Sequence, residues 1–150
     1  MQPDLRLIDI TDLGGAVIAP DWLVRAEGVH RQLRDKLPPS YVQRMAEVFA
    51  TGGRMSVAVL GDAVCGVAVW RFVENTFEGR RCYIDDLVTD LARRSHGVGK
   101  ALLTHVESIA RQQGCDVLAL DSGVQRGSAH KFYFREDMQI FAYSFRKALI

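Results

Sequence analysis

The sequence predicts an α/β (α+β) domain, a mixed sheet with helices packed on it. Three observations carry this expectation. Two apolar, β-branched runs flank a Gly61-Asp62 turn, which is a hairpin signal. A long amphipathic stretch from Val98 to Ala110 then places its apolar residues near helical spacing. A short apolar run, Asp116 to Asp121, comes directly after it, so strand and helix alternate as they do where helices cover a sheet. At 150 residues the chain is expected to form one domain, residues 1–150, large enough to bury its own core.

Each element follows in order. Leu5 to Ile10 alternates apolar and charged residues and reads as a strand. Pro20 and Asp21 open a helix whose Trp22, Leu23, Ala26, Val29 and Leu33 share one face. Residues 37–40, Leu-Pro-Pro-Ser, break the chain, and Ser40 caps a second helix to about Ala50, ended by Gly52 and Gly53. Arg54 to Phe72 supplies the two hairpin strands. A turn near Asn75 to Gly79 leads into a strand from Arg80 to Thr89. The next helix runs from Gly97, with Val98, Ala101, Leu102, Val106, Ile109 and Ala110 inward and Gly114 just past its end. After the short strand, Gly127 to Asp137 reads as a helix with Ser128 as its cap. Gln139 to Leu149 alternates and reads as a final strand.

Charge and cysteine usage narrow the function classes. The formal net charge is +1, which gives no global pull toward nucleic acid or a membrane surface, so any anion site must be local. Cys65, Cys82 and Cys115 are far apart and form no Cys-x-x-Cys or Cys/His pattern, so buried reduced thiols are expected and no metal. The first ten residues lack a signal-peptide pattern, and no stretch approaches a membrane-spanning length, so a cytoplasmic location is expected.

One segment invites chemistry. Residues 93–100, RRSHGVGK, put three fixed positive charges and two glycines immediately before a helix. Glycine exposes backbone N–H groups, arginine offers planar donor forks, and a helix N-terminus carries partial positive charge, a combination suited to a phosphate. A Walker-type nucleotide loop does not fit, because no Gly-x-x-x-x-Gly-Lys-Ser/Thr spacing exists. The plain alternative is a basic surface loop that binds nothing.

With its flanks, this segment resembles the GNAT superfamily of N-acetyltransferases. Arg94-Ser95-His96-Gly97-Val98-Gly99 matches that family's acetyl-CoA motif, between the fourth strand and the long helix, and the likeness in element order spans residues 55–145. The resemblance implies a mostly antiparallel central sheet with helices on both faces. It implies that Arg94, Ser95, His96, Gly97, Val98, Gly99 and Lys100 surround the CoA pyrophosphate, and that Leu87, Val88 and Thr89 bond the pantetheine arm through their backbone. His96 is expected to be a loop spacer, and Arg93 to be solvated. Ala129-His130-Lys131-Phe132-Tyr133 fits the family's pattern for a helix Tyr, which makes Tyr133 the general acid for the departing thiolate. Two departures stand out. Arg126 occupies a position where the family often has Asn, and is read as reaching a CoA phosphate. Asp137 stands where the family often has Gly.

Asp85 and Asp86 are adjacent on a strand, so alternation sends them to opposite faces and only one lines the acceptor pocket. Asp85 is taken as the base and Asp86 as an acceptor contact, with Asp121 as a further carboxylate for the acceptor. The implied activity is transfer of the acetyl group of acetyl-CoA to a primary amine of a small molecule, with no metal. Its partners are that amine and, left open, a second copy of the chain; nucleic acid and membrane are not among them. The alternatives are a protein N-terminal or lysine acetyltransferase and a non-catalytic acyl-CoA-binding regulatory domain.

Overall fold

The computed structural model describes residues 4–94 and 96–150. Among them, strands β1 (Leu5–Asp9), β2 (Arg54–Leu60), β3 (Ala63–Asn75), β4 (Gly79–Thr89) and β5 (Val117–Leu120) form one sheet in that order. The β1–β2, β2–β3 and β3–β4 pairs are antiparallel. Gly61 takes a φ of 59° in the tight β2–β3 turn, the left-handed conformation that such hairpins require. The helices are α1 (Pro20–Leu33), α2 (Tyr41–Ala50), α3 (Val98–Gln112) and α4 (Gly127–Arg135). No helix among the described residues is long and apolar enough to cross a membrane.

The chain divides into two compact units, one ending at Ala119 and one spanning Leu120–Ile150. In the first, the period of two along the strands sorts the core. Val57, Val59, Val67 and Val69 face α1 and α2, packing with Leu23, Ala26, Val29, Tyr41, Met45 and Phe49. Burying each such valine contributes about 1.5–3 kcal/mol. Gly66, next to Val67, points to the opposite face and lies under α3. A Cβ there would come within 2.7 Å of both Leu102 Cδ1 and Val98 Cγ1. Helices therefore cover both faces of the sheet, and Gly66 sets how closely α3 approaches. Cys65 and Cys82 are buried free thiols, and burial pushes the Cys82 thiol up to about 12.

In the second unit, two expectations are corrected. Arg126, not Ser128, is the N-cap residue of α4. The turn bond from Arg126 N to Gly123 O, 3.0 Å, fixes the start there, and Ser128 falls inside the first turn. The helix ends with Asp137 at φ 63°, its N–H donating to Phe134 O (3.3 Å) while the Met138 N–H donates to Tyr133 O (3.0 Å). These bonds define a Schellman turn, and they place an Asp where left-handed φ favours glycine. The final strand expected at 139–149 is not formed, and every residue from Gln139 to Ile150 is exposed. An alternating segment becomes a strand only against a neighbour, and among the described residues no strand is assigned from Gln139 to Ile150.

Candidate active site

The glycine loop is built from both sides. The Asp90 N–H donates to Cys65 O (2.9 Å), and the Asp90 side chain accepts from Ala92 N (3.3 Å), folding Leu91–Arg93 into a 3-10 turn. Gln32 of α1 clamps that turn, donating to Asp90 Oδ1 (3.1 Å) and accepting from Leu91 N (2.9 Å). Arg94, His96 and Lys100 are exposed, Gly99 is half-buried, and the Val98 side chain is buried in the core. Ser95 lies outside the described residues. Gly97 is the N-cap of α3 with φ 79°, and a Cβ built on it meets nothing within 4 Å. Space therefore exists in front of Gly97. The first intrahelical bond is Ala101 N to Gly97 O, 3.0 Å, so the N–H groups of Val98 and Gly99 open the helix ahead of it.

The end of β4 offers a second feature. Thr89, Val88 and Leu87 pair with Gly66, Val67 and Ala68 of β3. On the other side β5 is only four residues long and begins beside Arg80, where Asp116 N donates to Arg80 O (2.7 Å). A strand of that length stops short of Leu87, so β5 leaves the outer backbone edge of Leu87–Thr89 uncovered.

Directly before this edge on β4 lies the acidic pair, where the structure departs from alternation. Val69 pairs with Asp86 and Trp70 with Ile84, so Asp85 is the extra residue of a β-bulge. The bulge turns both carboxylates toward the side of α1 and α2. Asp86 accepts from His30 Nε2 (2.7 Å) and Arg34 Nε (2.6 Å), both on α1. Asp85 accepts from Arg71 Nε (3.0 Å) and Nη2 (2.5 Å), and Arg71 also donates to Thr51 O (3.1 Å) behind α2. Arg34 Nη2 donates to the Asp85 carbonyl at 2.9 Å and so ties the two aspartates together. His30 is 1% exposed and bonds the Tyr41 hydroxyl through Nδ1 at 2.8 Å. Burial pushes the Asp86 carboxyl up, but the hydrogen bonds and charges of His30 and Arg34 outweigh it. The carboxyl ends below its ordinary range.

His30, Arg34, Tyr41 and Arg71 carry this network; from the sequence His30 and Tyr41 read as ordinary helix packing or surface, with a ligand-facing role as the alternative, and Arg34 and Arg71 are given no role. The signal for His30 was present. It follows Leu23 by seven residues and Ala26 by four, on the buried face of α1.

Tyr133, Arg126 and Asp121 belong to the second unit. Tyr133 is half-buried, with its ring against Phe132 at 5.4 Å between centroids. Burial pushes its hydroxyl up, and the charge of Arg126 at the start of the same helix pulls the other way. His130 donates through Nε2 to Gly123 O at 2.9 Å, and Asp121 is exposed.

Comparison with known proteins identifies the family. The family model described as "Acetyltransferase (GNAT) family" matches residues 21–136. The chain is 35% identical over 122 residues to the uncharacterized N-acetyltransferase YhdJ of Bacillus subtilis (strain 168), covering 77% of this chain and 84% of that protein. It is 36% identical over 66 residues to the aminoalkylphosphonate N-acetyltransferase of Salmonella typhimurium, 44% of this chain and 43% of that protein. Among solved structures, the aminoglycoside N-acetyltransferase AAC(6')-Iy in complex with CoA shares the fold. Its TM-score is 0.81 at 15% identity, over 97% of this chain and 95% of that one. A family match across most of the chain, with a relative above 30% identity, settles the assignment: the chain belongs to the GNAT family and is an acetyl-CoA-dependent acyltransferase.

Proposed function

We propose that the chain moves the acetyl group of acetyl-CoA to a primary amine of a small molecule. The observation that carries this reading is the order of features along β4. The acidic pair Asp85–Asp86 directly precedes the uncovered edge Leu87–Thr89, and the glycine loop follows within a few residues. Two residues along a strand span ~7 Å. An acyl donor lying along Leu87–Thr89 would present its reacting carbon within that reach of a carboxylate.

The residues fit the donor. The pyrophosphate would accept from the N–H groups of Val98, Gly99 and Lys100, in the open space before Gly97, with Arg94 adding charge and Ser95 and His96 completing the loop. Arg126 would add charge to a phosphate. Leu87, Val88 and Thr89 would bond the pantetheine arm as an added strand. Asp85 is a quarter exposed, and Arg71 uses only part of its acceptor capacity, so it can hold an ammonium group or take its proton through water. Asp86 and Asp121 would contact the acceptor. Tyr133 would protonate the departing thiolate; its raised pKa keeps the hydroxyl protonated through the neutral range.

The relatives supply the test panel. Curated relatives are named for aminoalkylphosphonates and thialysine, and structural neighbours for aminoglycosides. The chain is incubated with acetyl-CoA and each amine class, with a lysine peptide and a free protein N-terminus beside them, and released thiol is measured. Turnover on at least one small amine, tenfold or more above the peptides, supports the reading. Turnover on peptides alone would replace it with protein acetylation.

A further inference from the structure

The acidic pair on β4 does not make a net negative site. Asp85 accepts from Arg71 through Nε (3.1 and 3.0 Å) and Nη2, and Asp86 accepts from Arg34 Nε (2.6 Å). The formal charges of these two aspartates and two arginines cancel. Asp35 and Lys36, in the exposed turn after α1, cancel as well. An ammonium group on Asp85 therefore meets a guanidinium beside each carboxylate. It also brings an uncompensated positive charge to a cluster in which the Asp86 side chain is only 13% exposed. Unpaired charge in a shielded place is unfavourable. The two arginines differ in what they have left to give. Arg71 uses Nε and Nη2 on Asp85 and Nη1 on Thr51 O, and is 25% exposed. Arg34 uses one edge, with Nε on Asp86 and Nη2 on the Asp85 carbonyl (2.9 Å). Among the described residues its Nη1 makes no hydrogen bond, and its side chain is 51% exposed.

We infer that the acceptor is a short-chain amine that also carries an oxyanion, a carboxylate or a phosphonate, and that Arg34 selects it. The inference rests on the proposed transfer to a small amine and names its substrate class. The ammonium end sits on Asp85. The oxyanion takes the open fork of Arg34, whose planar donors match two oxygens at once. Such a molecule brings its own counter-charge, so the cluster stays balanced. The spacer is short because one residue serves both ends: Asp85 offers its carboxylate to the amine and holds Arg34 by its carbonyl. From the buried side, His30 holds Asp86 (2.7 Å) and Tyr41 holds His30 (2.8 Å). Arg34 is thereby fixed before the acceptor arrives, which lowers the ordering cost of binding. A hydrogen bond to a charged group is worth roughly ten- to a hundredfold in binding, and the exposure of Arg34 puts the effect at the lower end, about tenfold.

The test compares short primary amines that differ only at the far end: a carboxylate, a phosphonate, an uncharged methyl group or a second ammonium. Each is assayed for kcat/KM at saturating acetyl-CoA. At least one oxyanion-bearing amine should exceed the methyl-ended amine by about tenfold, and the diamine by more. Arg34→Gln should bring that ratio close to one, through KM for the oxyanion-bearing amine. Arg34 also holds Asp86, but losing that hold slows every amine alike and cancels in the ratio. A merely structural role for Arg34 therefore leaves the ratio unchanged. If Arg34→Gln does not fold, Arg34→Lys takes its place; it keeps the charge without the planar fork, and the ratio should fall severalfold. A parent that favours the methyl-ended amine or the diamine, or a ratio unchanged in the folded variant, overturns the inference and leaves small-amine acetylation standing. Turnover on peptides alone, or on no amine, removes that reading and the inference with it.

Discussion

Asp86→Asn tests the network under the acidic pair. The substitution keeps shape and volume but removes the charge that Arg34 and His30 both approach, at 2.6 and 2.7 Å. A hydrogen bond to a charged group contributes about 1.5–3 kcal/mol. The His30 contact is buried and retains that scale. The Arg34 side chain is 51% exposed, so its contact is discounted for solvent screening. Asn can still accept one bond. The expected loss is therefore ~2–3 kcal/mol at pH 7, a fall of ~0.7–3 M in the urea midpoint for a slope of ~1–3 kcal/mol/M. The pH dependence has a defined sign. The folded carboxyl lies below its ordinary value, so its contribution is present above the unfolded value, at about pH 4. It is lost as pH falls through the folded value. The gap between parent and variant should stay constant from pH 7 to about 5 and narrow as pH falls below about 4. Urea titrations across that series measure it. A variant within 0.5 kcal/mol of the parent at pH 7, or a gap that does not change with pH, would refute the reasoning.

Three other outcomes follow from single positions. Gly66→Ala should cost about 1–3 kcal/mol, because the new methyl enters the contact with Leu102 and Val98, and thermal unfolding reads it directly. Gly97→Asn should keep stability, since Asn tolerates positive φ, yet weaken acetyl-CoA binding at least about tenfold by filling the space ahead of α3. Gly97→Val would instead show ~1–2 kcal/mol of backbone strain even without ligand, so titration calorimetry is best done on the Asn variant. Tyr133→Phe should lower turnover at least about tenfold with stability and acetyl-CoA affinity nearly unchanged, because only the hydroxyl is removed. Turnover within twofold of the parent would reject the acid role.

Much of the fold was legible because its signals are local and periodic. The Gly61-Asp62 hairpin, the inward face of α3 and the Pro20 start of α1 stand where patterning placed them. What was missed depends on partners distant in sequence. Alternation sent Asp85 and Asp86 to opposite faces, but the pairing of Val69 with Asp86 and Trp70 with Ile84 leaves Asp85 as a bulge residue. Nothing within Asp85-Asp86-Leu87 announces an extra residue; it comes from how β3 and β4 register. Helical spacing after Leu23 and Ala26 puts His30 on the buried face of α1, but its partner Asp86 is 56 residues away. The segment at 139–149 has the alternation of a strand, but alternation describes what a segment can bury and not whether a neighbour is present. The Ser128 cap was displaced by the turn at Gly123–Arg126, which starts α4 two residues earlier.

The site rests on one claim, that acyl-CoA lies along the open edge of β4 and against the start of α3. Hydrogen exchange with and without CoA tests it most directly. CoA should protect the amides of Leu87–Thr89 and of residues 96–101, and Gly97→Asn should abolish that protection while the parent fold is retained. Binding of CoA that leaves both segments unprotected, with protection appearing elsewhere, would contradict the account.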